Sequence, residues 1–539
     1  MHEYTAHIDT FARDRLPPRH LWPEFRFDLP ELHYPERANC ARVLLDDALS
    51  EGCAARVALR SDEGDWTYER LAEQTNRLAN VLAHDIGIVP GNRVLLRARN
   101  SPMLACAWLA VIKAGGIAVT TMPMLRANEL AAIIERARID HALCQQDLAD
   151  ELKTASAGRL GGICWDNGQL EELMARRSTH FEAVNTSLTD VCLLAFTSGT
   201  TGTPKATMHF HRDVLAMADV VGRHLLRTCS DDVYVGSPPL GFTFGLGALL
   251  AVPLRFRGSA VLVERPTPER LLSAVQEHRA TCLFTAPTMY RQLTLIADQF
   301  DLTSLRQCVS AGEALSKSTS DEWHAATGIR LTDGIGATEM MHIFIGNTGA
   351  DVRPGATGKP LPGYEACVLD PQDNPLPPGG TGRLAVKGPT GCRYLDDPRQ
   401  RDYVINGWNV TGDIYHVDHD GYFWFRCRAD DMIVSSGYNI AGPDVEAALA
   451  AHPAVRECAV IGVPDQVRGQ IVKAFIVLHP GATGDSTLTR ALQDFVKARI
   501  APYKYPRAIE YVASLPRTAT GKVQRHALRD VGRSGVHTR

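Results

Sequence analysis

The sequence predicts an α/β protein in two parts, a large multi-layered N-terminal domain and a small α+β C-terminal domain. Three observations carry that reading. Short apolar runs alternate with helical patterns over most of the chain, as strands and helices in alternate layers do. At 539 residues with 45% hydrophobic side chains, the chain is too long for one ordinary core. After "WFRCRADDMIVSSG" the alternation restarts on a smaller scale. That places a boundary near Asp430, giving domains 1–429 and 430–539, the second of ordinary size.

The elements follow in order. "TYERLAEQTNRLANVLAH" (67–84) sets Leu71, Leu78, Val81 and Leu82 on one helical stripe, with Thr67 as its N-cap. "RVLLRAR" (93–99) reads as a strand. "MLACAWLAVIKAGGIAV", from Met103, carries Lys113 and a glycine pair. It is too short and too interrupted to span a bilayer, and reads as a buried helix running into a strand. A strand over 191–196 leads into a loop over 197–205 and a helix from about His211. "TCLFTAP" (281–287) and "LRQCVSAG" (305–312) are strands ending in small residues or proline. Turns crowd the stretch 351–400, with short strands at "ACVLD" and "RLAVKG". Beyond the boundary come helix 443–451, strands 457–463 and 471–478, helix 486–499 and strand 508–513.

Bulk chemistry excludes several functions. The net charge is −4 and the pI about 6.6, so no basic excess points to nucleic acid or an anionic membrane as partner. Thirteen scattered cysteines include no CxxC pair, which argues against a zinc ribbon or thioredoxin-type site. Their scatter suits reduced thiols. "MHEYTAHIDTFARD" lacks the apolar core of a signal peptide, so a cytoplasmic protein is expected.

The chemistry concentrates in "TSGTTGTPK", 197–205. Gly199 and Gly202 allow close backbone approach. Thr197, Ser198, Thr200, Thr201 and Thr203 bring hydroxyls, and Lys205 a cation. At the carboxyl end of a strand, that set suits a polyphosphate. Pro204 before Lys205, and Ala206 after it, break the Walker A order.

This nonapeptide resembles the phosphate-binding signature of the adenylate-forming superfamily of acyl- and aryl-CoA ligases, luciferases and peptide-synthetase adenylation domains. Further motifs follow in the family's order, across 197–525. "DGIGATEM" (333–340) resembles the Y-G-x-T-E segment; by that resemblance Asp333, Gly334 and Ile335 border ATP, Thr338 meets a phosphate oxygen and Glu339 holds Mg²⁺. The family's adenine-stacking Tyr is Ile335 here, an aliphatic substitute. "SAGEAL" (310–315) resembles the turn that packs on adenine, with Ala311, Gly312 and Glu313. "NVTGDIY" (409–415) supplies Asp413, the family's acceptor for both ribose hydroxyls, and Arg428 reaches the same ribose. Asp430 sits at the family's hinge, Val434 where a Lys is frequent, and Gly437 where members line the pantetheine tunnel. "PRTATGKVQR" (516–525) matches the C-terminal segment whose lysine, here Lys522, serves adenylation.

The resemblance implies the family's fold and a two-step ligase. A carboxylate attacks the α-phosphate of ATP, and a thiol then takes the acyl group from the adenylate. Lys522, Glu339 and Thr338 would be catalytic in the first step, and the C-terminal domain would turn about Asp430 between the steps. The chain ends soon after Lys522, so free coenzyme A is the expected acceptor. Phe242, Thr243 and Phe244 of "SPPLGFTFGLG", with Gly336, His342 and Ile343, fall at the family's acyl pocket. The set resembles the benzoate branch, and "EYTAHIDTFARDRLPP" resembles 2-aminobenzoate-CoA ligases. The expected substrate is therefore a small aromatic acid, 2-aminobenzoate first and benzoate second, handled by a monomer or homodimer. A non-catalytic nucleotide-binding protein of this fold is the alternative. It would bind ATP without acid-dependent pyrophosphate release.

Overall fold

The computed structural model describes residues 4–197, 204–435, 438–465, 468–517 and 521–534. They divide into two compact units, one of residues up to Ala366 with Ala385–Val410, the other of Cys367–Leu384 with the chain from Thr411 onward. Among the described residues no helix is long and apolar enough to cross a membrane.

Two sheets frame the first unit. One orders Gly161–Trp165, His141–Gln145, Arg93–Arg97, Ile117–Thr121, Val191–Thr197 and Lys205–Phe210. All neighbours are parallel except the last pair. Every residue of Arg93–Arg97 and Ile117–Thr121 is buried, as parallel strands covered on both faces must be. The other sheet is parallel through its middle, where Val233–Gly236, Cys282–Thr285, Gln307–Ala311 and Leu331–Gly336 lie side by side. Ile343–Gly346 then adds antiparallel to Leu331–Gly336.

The helices start where their caps dictate. Thr67 Oγ1 accepts from the Arg70 N–H at 3.1 Å, so the helix begins at Tyr68 and runs to Val81. Ser101 does the same for Leu104 at 3.2 Å, opening Pro102–Lys113, whose strand partner is Ile117–Thr121. One expectation changes. Lys205, expected to close the loop 197–205, instead opens a strand, Lys205–Phe210, in the unassigned stretch before the helix. It folds back on Val191–Thr197 with Thr197 opposite Lys205. The helix does begin at His211.

In the second unit, Val455–Asp465 and Gly469–Leu478 pair antiparallel, and Ala508–Tyr511 adds parallel to the latter. Alternation divides the strands' faces. Val460, Val472, Ala474 and Ile476 pack under the helices Gly442–Ala450 and Ser486–Lys497 through Val445, Leu449, Leu492 and Val496. Ile461, Val463, Phe475 and Val477 face the other way onto Leu515 and Leu528.

Candidate active site

Parallel strands of the second sheet end together, and the expected adenine residues lie at those ends. Ala311 pairs with Gly334, and Ser310 with Asp333. Gly312 turns the chain at φ +92°, a conformation that favours glycine. Glu313 is fixed by the Thr288 hydroxyl, which donates to its carboxylate at 2.6 Å. Gly336 is required by close approach, since a Cβ there would meet the His342 carbonyl oxygen at 2.7 Å. Asp333 is only partly buried as a residue. Enclosure of its carboxyl group nonetheless pushes it up to about 8, against the opposing hydrogen bonds of the Gly334 N–H and Thr357.

That shift has a signed consequence. Below the unfolded value of 3.8 both states hold the proton; between there and about 8 only the folded chain does. Asp333 therefore subtracts stability as pH rises through that window. Asp333→Asn is expected to gain in Tm relative to the parent as pH is raised from 5 to 9. A pH-independent difference in thermal unfolding would refute it.

Thr338 and Glu339 occupy a buried 3₁₀ turn, Thr338–Met340. The Tyr394 hydroxyl donates to Glu339 Oε1 and accepts from Lys205 Nζ at 3.4 Å. Burial, with Glu339 alongside, holds the Tyr394 hydroxyl far above its usual range, so it remains a donor. Lys205 and Glu339 are thus brought together through a tyrosine that the motifs did not single out. Four further residues were missed. His209 Nε2 donates to the Thr338 carbonyl at 2.8 Å, and Thr390 Oγ1 donates to the Met340 carbonyl at 2.8 Å. Asp213 and Arg393, both fully buried, form an ion pair behind His209. The signal was the polar residues within the apolar run "ATMHFHRDVLAMADV" and in "TGCRYLDD".

The expected acyl residues also gather. The Phe244 ring lies 6.0 Å from that of Phe284 and 5.3 Å from that of His342. Thr243 and Ile343 are buried beside this box, and Phe242 caps the short helix Thr243–Leu246. Burial lowers His342 to about 4, so the ring is neutral at pH 7. Its Nε2 faces the Phe244 carbonyl at 3.2 Å, which can only accept, so Nε2 carries the hydrogen. Nδ1 is left as a buried acceptor without a hydrogen-bond partner among the described residues.

The second unit holds the rest. Arg428 pairs with Asp413 at 3.0 Å and donates to the Thr411 carbonyl at 3.1 Å, so the two expected ribose residues also bind each other. The Asp430 carbonyl accepts from Arg529 at 2.9 Å. Val434 is an exposed apolar residue whose N–H donates to Gln470. Lys522 is exposed, next to Val523, which bridges to Arg517. Ser198, Gly199, Thr200, Thr201, Gly202 and Gly437 lie outside the described residues. Away from all of these, Cys40, Cys192 and His211 bring their ligating atoms within 4.8 Å of one another. His211 Nδ1 already accepts the Cys40 N–H at 3.1 Å, which uses that lone pair.

The chain is similar to known proteins in family and fold. The family model "AMP-binding enzyme" matches residues 46–393, and "AMP-binding enzyme C-terminal domain" matches 444–522. A benzoate–CoA ligase of Thauera aromatica is 35% identical over 515 residues, covering 93% of this chain and 97% of that protein. The human mitochondrial acyl-coenzyme A synthetase ACSM3 is 31% identical, with 93% and 90% covered. Among solved structures, the anthranilate CoA ligase AuaEII in complex with anthranoyl-AMP superposes with a TM-score of 0.88 at 33% identity, over 95% of this chain and all of that one. A benzoate CoA ligase from Burkholderia xenovorans LB400 gives 0.83 at 32%, over 91% and 100%.

Proposed function

From the premise that this chain belongs to the AMP-binding enzyme family, as an ATP-dependent aryl- or acyl-CoA ligase, we propose that its acid is an aromatic carboxylate. The first choice is 2-aminobenzoate and the second benzoate. The acid becomes an aryl-adenylate and then the CoA thioester, with pyrophosphate and AMP released. The observation that carries the choice is the aromatic box of Phe244, Phe284 and His342. Flat apolar walls with one placed polar atom suit a substituted ring. Because His342 Nε2 is committed to Phe244, its Nδ1 serves only as an acceptor. That fits the N–H of a ring amine and does not fit a carboxylate. The similarity to an anthranilate CoA ligase supports the same reading.

In the first step a carboxylate oxygen of the acid bonds to the α-phosphorus, and the bond to the bridging oxygen breaks as pyrophosphate departs. The barrier is largely electrostatic, since two anions must meet. The loop 197–205 grips the β- and γ-phosphates, with Lys205 as its cation. Glu339 and Thr338 offer the carboxylate and hydroxyl oxygens that a hard cation takes; Mg²⁺ bound there would offset phosphate charge. Asp413 accepts the ribose hydroxyls with Arg428 as its counter-ion, and adenine packs between Gly312 and Ile335. Lys522 bridges the carboxylate and the α-phosphate. In the second step the CoA thiol gives up its proton to water as its sulfur bonds to the acyl carbon, and AMP leaves with the electron pair of the C–O bond. The C-terminal domain, 430–539, turns about Asp430 to present its Gly437 face to the thiol. The fold family implies no covalent enzyme intermediate in this scheme.

The test is pyrophosphate release over a panel of substituted benzoates and fatty acids, with and without coenzyme A. Turnover of fatty acids equal to that of benzoates would sink the aromatic assignment. His342→Phe separates the two aromatic candidates. It is expected to lower kcat/KM for 2-aminobenzoate by about tenfold, the worth of one hydrogen bond, with benzoate little changed. An equal loss on both acids would remove the amine contact.

A further inference from the structure

The Thr338–Met340 turn ends on Met341 at φ +72°, ψ −37°. A non-glycine residue in that region is strained and persists only where its surroundings over-determine it. Here the restraint is visible. Two of the turn's carbonyls are held by side chains from elsewhere in the first unit, Thr338 O by His209 and Met340 O by Thr390. Both holders are themselves fixed. His209 and Thr390 are fully buried. Tyr364 bonds Thr390 at 2.9 Å; since Thr390 donates to Met340, the Tyr364 hydroxyl is the donor there. Behind His209, Asp213 Oδ2 lies 3.6 Å from Nδ1, accepts the Phe210 N–H at 3.0 Å and pairs with Arg393. Glu339 hangs between the two clamped carbonyls.

We propose that His209 and Thr390 are positioning residues that set the strained Thr338–Met341 turn, and so aim the Thr338 hydroxyl and Glu339 carboxylate at ATP and its metal ion. The proposal rests on the reading of Glu339 given above. Neither side chain needs to touch ATP. Each removes one way for the turn to relax toward ordinary φ, which would swing Glu339 away from its bond to Tyr394.

The test uses the full chain with Mn²⁺ and α,β-methylene-ATP, read by electron paramagnetic resonance of the bound ion and by calorimetry. His209→Leu and Thr390→Val are each expected to weaken Mn²⁺–nucleotide binding on the order of 10- to 100-fold, as losing the partners that orient a metal's ligands does. His209→Gln, which keeps a donor, is expected to recover most of it. Thr390→Val is nearly isosteric, so it reports on the clamp even if His209→Leu folds poorly. Glu339→Gln is the control. If it leaves Mn²⁺ binding unchanged, the Glu339 reading falls and takes this proposal with it. If Glu339→Gln weakens binding while folded His209→Leu and Thr390→Val do not, the positioning proposal alone is overturned.

Discussion

Replacing Lys522 by alanine is expected to slow aryl-adenylate formation on the order of 10²–10³-fold, the usual loss when one preorganised charge contact to a transition state is removed. Thioester formation from supplied aryl-adenylate and coenzyme A should stay near the parent rate. The split follows from where charge develops. In the first step an ammonium can touch both the attacking carboxylate and the α-phosphate. In the second the phosphate is a leaving group already neutralised elsewhere, and the reacting carbon faces a thiol. Lys522 is exposed, so its loss costs little folding energy, and an unchanged Tm would separate chemistry from stability. Single-turnover measurement of each half-reaction decides it. Equal damage to both would mean that the lysine serves the adenylate itself, and that the domain 430–539 does not present different faces in the two steps.

The layered fold was legible because buried parallel strands leave a strong mark. "RVLLR" and "CLFT" have no polar face to alternate with, and the stripe of Leu71, Leu78, Val81 and Leu82 announced the helix that Thr67 caps. The strand Lys205–Phe210 was harder to read. Its polar start, Lys205, belongs to the glycine-rich stretch, while His209 and His211 broke the apolar run. What makes it a strand is pairing with Val191–Thr197, and sequence periodicity does not display a partner.

The site divides in the same way. Glu339, Asp413 and Lys522 sit in ordered motifs whose residue types match the chemistry, so each could be named from sequence. Tyr394, His209 and Thr390 belong to no such motif. They act on carbonyls and carboxylates distant in the chain, and only the fold brings Thr390 within reach of Met340. His342 shows an intermediate case. Sequence placed it among the expected acyl residues, but which nitrogen was left without a partner depended on the Phe244 carbonyl beside it.

Arg393→Met is expected to cost about 3–5 kcal/mol of folding stability, the range for breaking a buried ion pair from one side. Arg393 and Asp213 are both fully enclosed. The guanidinium also lies 3.9 Å over the Phe210 ring, and methionine keeps much of that stem. The large term is the carboxylate left behind. In the parent, burial pushes Asp213 up, but Arg393 together with His209 and Arg212 more than offsets it and the group ends below its usual 3.8. Its contribution is therefore present above about pH 4 and lost as pH falls through the folded value. Without Arg393, burial dominates and the sign inverts, so the variant loses stability as pH rises from 4 toward 7. The gap between parent and variant should thus narrow in acid. Adding Asp213→Asn removes the stranded charge while keeping an oxygen for the Phe210 N–H, so the double variant should recover most of the loss. Denaturant unfolding of the three proteins at pH 4.5 and 7.5 measures all of this. A pH-independent cost, or a double variant no more stable than Arg393→Met, would show that packing rather than the uncompensated carboxylate sets the penalty.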